Sequence, residues 1–511
     1  MTGSAEPPMP TLRPLYRAEQ VRELDRRTIE GGIAGFALMQ RAAAAAWQEL
    51  RARWPAARSL SVLCGGGNNG GDGHVLAALA AAEGLAVQRI LLKPVEALTG
   101  DARRAADMAT EAGVAAAPWQ ADIPLEGEVV VDALLGTGLG GEVRGAAREA
   151  IEAVNASGLP VLAIDIPSGL DADTGARLGV AIRATRTVTF IADKLGLYTG
   201  AAPAHVGEPV FCALGVDAEG AADLVPAARR LEAGLIAAWL PPRPRDAHKG
   251  DCGHALVLGG APGFGGAALL AAEACARLGA GKVSLATAPE HVTASLVRRP
   301  EVMVHGVRGG GDLATLPERA DVLVVGPGLG QGSWGQGMLQ AALAASRPLV
   351  VDADGLNLLA TRFSGRQRDD WILTPHPGEA ARLLGRSAGE VEADRPAAAR
   401  ALQHRYGGVV VLKGAGTLVA GPAGLAVCPY GNPGMASGGM GDALSGILGA
   451  LLAQGLDLEV AARLGVLVHA LAADRAARTG GERGLLAGDL ASCARILVNP
   501  TMGENDAAAT R

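Results

Sequence analysis

Short apolar runs recur along this chain, and nearly every one ends in glycine, proline or a polar group. SLSVLCGGG, EVVVDALLG, LPVLAIDIPSG and RTVTFIADK stand in the first half. HALVLGGAPG, DVLVVGPGLG, RPLVVDADG, WILTPHPG and GVVVLKGAG stand in the second. Each run has the length of a strand, and most are followed by an Ala- and Leu-rich stretch that reads as helix. Strands alternating with helices imply a mostly parallel sheet with helices on both faces. Ligands of such sheets sit at the carboxyl ends of the strands, where the loops carry polar residues.

A chain of 511 residues exceeds one ordinary domain. The strand series is interrupted between about 223 and 247, where Pro241, Pro242 and Pro244 follow a short helical stretch. The expected organisation is therefore a disordered lead over 1–15, a first domain over 16–222, a linker over 223–247, a second domain over 248–498 and a frayed tail over 499–511. The fold class is α/β, with each domain a three-layer αβα sandwich. No close internal repeat relates the halves.

Composition excludes several classes of function. A net charge of −6 gives no electrostatic case for nucleic acid or an anionic membrane. The six cysteines are scattered without a CxxC pair, which argues for a reducing compartment and against a zinc site. The first residues lack a signal-peptide pattern, and the apolar runs are too short or too broken to span a bilayer. A cytoplasmic protein acting on small molecules is expected. Only five lysines occur, Lys93, Lys194, Lys249, Lys282 and Lys413, which makes each worth a question, although base bias in the genome would give the same scarcity.

Residues 431–453 read GNPGMASGGMGDALSGILGALLA. Gly438, Gly439 and Gly441 leave the backbone nearly bare, and Asp442 follows at the start of an apolar helix. Helix N-termini attract anions through unpartnered N–H groups. An acid there suits a general base that takes a proton from a hydroxyl while the N–H groups hold a phosphoryl group. The alternative is a glycine turn capped by an aspartate. Lys413 opens KGAGT at another strand end, where charge and backbone N–H groups can hold phosphate. His376 lies between prolines in TPHPGE, and Gly326-Pro-Gly328-Leu-Gly330 ends a further strand. There is no GxxxxGK[ST], so a P-loop is excluded.

In the first half, three strand ends carry oxygen donors: Asn68, Asn69 and Asp72; Asp132; and Asp165 with Ser168. Such oxygens suit a hard cation, and Asx turns or caps are the alternative for each alone. Asp165, between a strand and a proline, is placed as a general base would be. Gly136-x-Gly138-x-x-Gly141 matches GxGxxG formally, but a match by itself is a weak dinucleotide signal.

These motifs bear a resemblance to a known family. NNGGDG, VDALLGTGL and DIPSGLDADTG resemble the NAD(P)HX epimerase domain, which would make the first domain Rossmann-like. HKGDCGHALVLGG, GPGLG, DADGLN, LTPHPGE, LKGAGT and NPGMASGGMGD resemble the ribokinase-like NAD(P)HX dehydratase domain. The order is that of the fused bacterial repair enzymes for hydrated nicotinamide nucleotides. The resemblance implies that Asn69, Asp132 and Ser168 are potassium ligands. It implies substrate contacts for Asn68, Asn69, Gly70, Gly71, Asp72, the loop Gly136, Thr137, Gly138, Leu139, Gly140, Gly141 and Glu142, and Asp165. In the second domain it implies substrate contacts for Ala268, Gly328, His376 and Asp442, and an adenine-nucleotide site at Lys413, Gly414, Ala415, Gly416, Thr417 and Gly441. Asp442 and Asp165 would be the catalytic groups. The implied ligands are NADHX, NADPHX, K⁺ and ADP, with ATP as the other nucleotide and Mg²⁺ accompanying it; a homo-oligomer is expected. Two other readings compete: a ribokinase-type small-molecule kinase, which would keep the phosphate on its product, and a first domain that only binds.

Overall fold

The computed structural model describes residues 12–217, 223–313 and 315–499. The chain divides into two compact units, one over 14–228 and one over 229–511 together with 1–13.

The sheet of the first unit has seven strands in the order Ala116–Pro118, Ala86–Leu91, Ser59–Cys64, Val129–Ala133, Val161–Ile164, Arg186–Phe190 and Glu208–Cys212. Every pairing is parallel. Alternate residues serve two cores. Leu60, Val62, Val129 and Val131 face the helices Gly35–Arg53 and Asn68–Ala82, whereas Leu63, Val130 and Val161 face the helix Gly145–Ser157. Burial on both faces explains why these strands read as continuous apolar runs. The expected three layers are present.

The second unit carries a larger sheet. Its order is Arg13–Leu15, Ala228–Arg230, Gly424–Cys428, Thr417–Gly421, Val409–Leu412, Trp371–Leu373, Leu349–Val351, Val322–Val325, His254–Leu258, Lys282–Thr287 and Met303–Gly306. From Val409–Leu412 to Met303–Gly306 all pairings are parallel. The hairpin Thr417–Gly421 and Gly424–Cys428 is antiparallel. One face is covered by the helices Gly265–Arg277, Met440–Ala453, Leu458–Gly480 and Ala487–Leu497.

Two of these helices approach unusually closely. Gly446 packs on Ala271, where an added Cβ would lie 2.2 Å from the Ala271 carbonyl oxygen, and Gly449 packs on Val324 and Cys275. The pairs 446–271 and 449–275 advance together, so Met440–Ala453 and Gly265–Arg277 run parallel and side by side.

Two expected boundaries differ from the structure. The stretch 223–247 contains the strand Ala228–Arg230, paired with Gly424–Cys428, and the helix Leu235–Trp239. Leu231, Leu235 and Ile236 belong to the second core, so apolar residues at helical spacing outweigh the proline cluster that suggested a linker. In the expected lead, Arg13–Leu15 is a strand, while residues 1–11 lie outside the described residues. So do residues 500–511 of the expected tail. Among the described residues, no helix is long and apolar enough to cross a membrane.

Two candidate active sites

In the second unit the strand Val409–Leu412 delivers Lys413 to the carboxyl edge of the sheet, and the strand Leu349–Val351 delivers Asp352 beside it. Lys413 Nζ donates to Asp352 Oδ1 at 2.7 Å and lies 3.8 Å from Glu379 Oε2. Thr374 Oγ1 donates to Asp352 Oδ1 at 2.8 Å, and Ser445 Oγ donates to Asp352 Oδ2 at 2.9 Å. Burial alone would raise the Asp352 pKa. The Lys413 charge and these three hydrogen bonds outweigh burial and hold it below the usual carboxylate range. Lys413 is correspondingly raised, because Asp352 and Glu379 more than offset its own desolvation.

Gly441 rests on this pair. A Cβ there would lie 3.2 Å from Lys413 Nζ and 3.4 Å from Asp352 Oδ2. The helix Met440–Ala453 begins after Gly439, whose φ of 91° is the left-handed turn that starts it. Asp442 is therefore held in the first turn. Burial, then the charge of Asp352, pushes its carboxyl up to about 7, with Lys413 opposing. An acid tuned near neutral pH in a phosphate-compatible turn is suited to general-base work.

His376 caps the helix Pro377–Leu384: its Nδ1 accepts from Gly378 N at 3.0 Å. The proton therefore sits on Nε2, which lies 3.4 Å from Glu379 Oε1. Burial, then the Lys413 charge, lowers the His376 pKa and so favours the neutral ring. Glu379 accepts from His376 N at 2.8 Å, and burial pushes it up to about 7. Thr417 Oγ1 donates to Gly414 O at 2.9 Å, closing the loop 413–417 on itself. Lys413, Gly441, Asp442 and His376 thus surround one edge. Ala268 does not join them as an exposed group, because it is fully buried on the inner face of its helix.

In the first unit, the motif NNGGDG forms the opening turns of the helix Asn68–Ala82, and only Gly65–Gly67 remain as the loop before it. Asp132 and Ser168 meet at adjacent strand ends. Ser168 Oγ donates to Asp132 Oδ1 at 2.6 Å, and Ser168 N donates to Asp132 Oδ2 at 2.8 Å. Burial pushes Asp132 up to about 6 against these bonds. Asn69 Nδ2 donates to Leu135 O at 3.1 Å, while Asn69 Oδ1 is buried without a hydrogen-bond partner. An orphaned carbonyl oxygen costs about 1–3 kcal/mol. Beside a carboxylate, a hydroxyl and the Leu135 carbonyl, it fits a large hard cation such as K⁺. The loop after Val129–Ala133 packs here too, since a Cβ on Gly136 would lie 3.2 Å from the Asn69 Cβ.

Asp165 follows Val161–Ile164 with a φ of 66°, the left-handed region that aspartate tolerates better than most residues. Lys194 Nζ, fully buried, donates to Asp165 Oδ1 at 2.7 Å and to Thr189 Oγ1 at 2.8 Å. Thr189 Oγ1 and Phe190 N also reach Asp165 Oδ1, each at 3.3 Å. The protein donors thus converge on one carboxylate oxygen. Asp72 and Asp25 complete the cluster. Burial, then Asp165 and Asp25, pushes Asp72 well above the carboxylate range. Burial and Asp165 push Asp25 up to about 6.

Sequence reasoning missed Asp352, Glu379, Lys194 and Asp25 as site residues. Asp352 ends an apolar run as Asp165 does, and Glu379 lies inside TPHPGE, so both carried a signal. Lys194 was marked only by the scarcity of lysine. Asp25 sits in the amphipathic helix Ala18–Glu30 with no local sign of its role.

A family model described as NAD(P)H-hydrate dehydratase matches residues 255–495, and one described as YjeF-related protein N-terminus matches residues 35–196. The chain is 51% identical over 487 residues to a bifunctional NAD(P)H-hydrate repair enzyme of Coxiella burnetii, covering 95% of this chain and 99% of that one. It is 44% identical over 494 residues to the Escherichia coli protein of the same description, covering 96% and 95%. Among solved structures, a ribokinase-like superfamily protein from Enterococcus faecalis is similar with a TM-score of 0.50 and 29% identity, over 53% of this chain and 95% of that one.

Proposed function

The chain belongs to the family of bifunctional NAD(P)H-hydrate repair enzymes, an epimerase and a nucleotide-dependent dehydratase on one polypeptide, and from that premise we propose how its two sites divide the work. The first unit interconverts the epimers of NADHX and NADPHX. The second dehydrates the S epimer at the expense of ADP. The observation that carries this reading is Asp442, tuned to about 7 on a glycine-opened helix beside Lys413 and Asp352.

The damaged cofactor bears a hydroxyl on the ring carbon next to the ring nitrogen. Hydroxide leaves poorly, so the oxygen must first be phosphorylated. Asp442 takes the hydroxyl proton as the oxygen attacks the terminal phosphoryl group of ADP, and AMP departs. Backbone N–H groups around Gly439–Gly441 and the Lys413 charge hold the charge that develops on the phosphoryl oxygens. The ring nitrogen's lone pair then expels phosphate. A proton leaves the adjacent ring carbon, which restores the double bond of NAD(P)H. Both oxygens of Asp352 are already bonded to Lys413, Thr374 and Ser445. Mg²⁺ therefore enters with the nucleotide phosphates, as is usual in phosphoryl transfer.

In the first unit, Asp165 supplies the acid–base step at the hydroxyl-bearing centre, and Asp72, whose pKa is raised by burial and by Asp165 and Asp25, is the matching acid. Asn69, Asp132 and Ser168 would hold K⁺, which orders the pocket between the strand ends. All six cysteines are unpaired, in keeping with a cytoplasmic enzyme.

A mixture of both NADHX epimers tests the whole reading. With ADP and K⁺, reduced-nicotinamide absorbance recovers fully and free phosphate accumulates, with ADP preferred over ATP. A small-molecule kinase would instead release no phosphate and restore no absorbance. Potassium has its own readout. K⁺ at a hundred times its dissociation constant stabilises a single-site protein by about 2.7 kcal/mol. The unfolding transition of the first unit is expected to rise with K⁺, and Asn69→Leu abolishes that shift. An identical shift in the variant would remove Asn69 as a ligand.

A further inference from the structure

One large aromatic residue stands exposed at the sheet edge that carries the proposed dehydratase site. Phe264 is 62% exposed, whereas the other four phenylalanines are buried or partly so. A single exposed apolar side chain is ordinary on a protein surface, so its position must carry the argument.

Phe264 ends the loop that follows the strand His254–Leu258. That loop is tied to the neighbouring Gly326–Gly328 turn. Gly260 N donates to Pro327 O at 3.0 Å, Ala261 N donates to Gly328 O at 2.7 Å, and Phe264 N donates to Ala261 O at 2.8 Å. A Cβ on Gly328 would lie 2.4 Å from the Phe264 carbonyl oxygen and 3.1 Å from its Cβ. The backbone beneath the ring is therefore fixed, and the ring pays little ordering entropy on meeting a ligand.

The helix register gives the second line. Gly265–Arg277 runs parallel to Met440–Ala453, with Ala271 against Gly446 and Cys275 against Gly449. The turn under Phe264 also reaches the acid site: a Cβ on Gly326 would lie 1.9 Å from the Asp352 carbonyl oxygen, and Asp352 lies against Gly441. Leu270 marks the approach, since a Cβ on Gly439 would lie 2.8 Å from its Cδ1. Phe264 and Asp442 therefore open on the same edge of the sheet, one apolar and one able to take a proton.

We propose that Phe264 is the platform on which the hydrated pyridine ring of the substrate lies, with its hydroxyl-bearing edge turned toward Asp442. The ring nitrogen, the remaining double bond and the carboxamide form a flat conjugated surface, which an aromatic face accepts in offset stacking. The phosphates and sugars of the substrate offer no such surface. This inference rests on the dehydratase reading of the second unit.

The test is a steady-state comparison of wild type, Phe264→Ala and Phe264→Tyr, with S-NADHX and with the hydrated mononucleotide that lacks the adenosine half. Phe264→Ala is expected to raise KM for both about tenfold, with kcat within about threefold and KM for ADP unchanged. Phe264→Tyr, which keeps the aromatic face, should match wild type. An alanine variant with unchanged KM overturns the proposal. So does a KM that rises for the dinucleotide alone, which would put the ring under the adenine, or one that rises for ADP in parallel. A wild-type enzyme that restores no absorbance with any nucleotide would instead defeat the dehydratase reading itself, before Phe264 is in question.

Discussion

Asp442→Asn should abolish dehydration while leaving the enzyme folded and epimerising. A positioned general base contributes about 10²–10⁴-fold, so the phosphate-release rate is expected to fall by about that factor. The amide fills the same space and cannot take the hydroxyl proton. The pH profile supplies an independent check. Burial and the charge of Asp352 raise this carboxyl to about 7, and only the ionised form is a base. Activity should therefore fall about tenfold for each unit below pH 7 and level off above it. A flat profile between pH 5 and 7, or a variant with wild-type turnover, would remove Asp442 from the chemistry and leave it as a helix cap. The R/S equilibration of the substrate, followed separately, should not change in the variant.

The second large effect falls on the other unit. Asp165→Asn is expected to slow epimerisation by about 10²–10⁴-fold, so a racemic NADHX sample would recover half its absorbance quickly and the rest only at the spontaneous rate. Asparagine is the informative substitution because position 165 has a φ of 66°, and asparagine tolerates that region as aspartate does. Alanine would add backbone strain and confuse lost chemistry with lost stability. Full, fast recovery in Asp165→Asn would remove Asp165 from the acid–base step.

Much of this was readable in the residues. Strand-length apolar runs ending in glycine fixed the α/β class, because strands buried on both faces have no room for alternation. The loops at their ends displayed Asp132, Asp165, Lys413 and Asp442, since a group at a strand tip is flanked by recognisable turn chemistry. Lys194 and Asp352 were harder. Each acts through a partner brought by another strand, and the charge it neutralises is distant in sequence: Lys194 reaches back to Asp165, and Lys413 reaches back to Asp352. Asp25 was invisible because an exposed-looking acid on an amphipathic helix has the same local pattern whether it meets solvent or a cluster of buried carboxylates. The 223–247 stretch misled because proline density speaks of local chain stiffness and says nothing of the core that Leu231, Leu235 and Ile236 enter.

The close seam at Gly446 and Gly449 has a genetic meaning. Any missense change in a glycine codon adds at least one carbon, and at Gly446 that carbon would collide with the Ala271 carbonyl. Loss-of-function alleles should therefore gather at these two positions as densely as at Asp442, although neither glycine takes part in the proposed chemistry. The two groups separate by abundance: seam alleles lower the amount of soluble enzyme in the cell and are relieved by growth in the cold, whereas Asp442 alleles accumulate normally and stay inactive at every temperature.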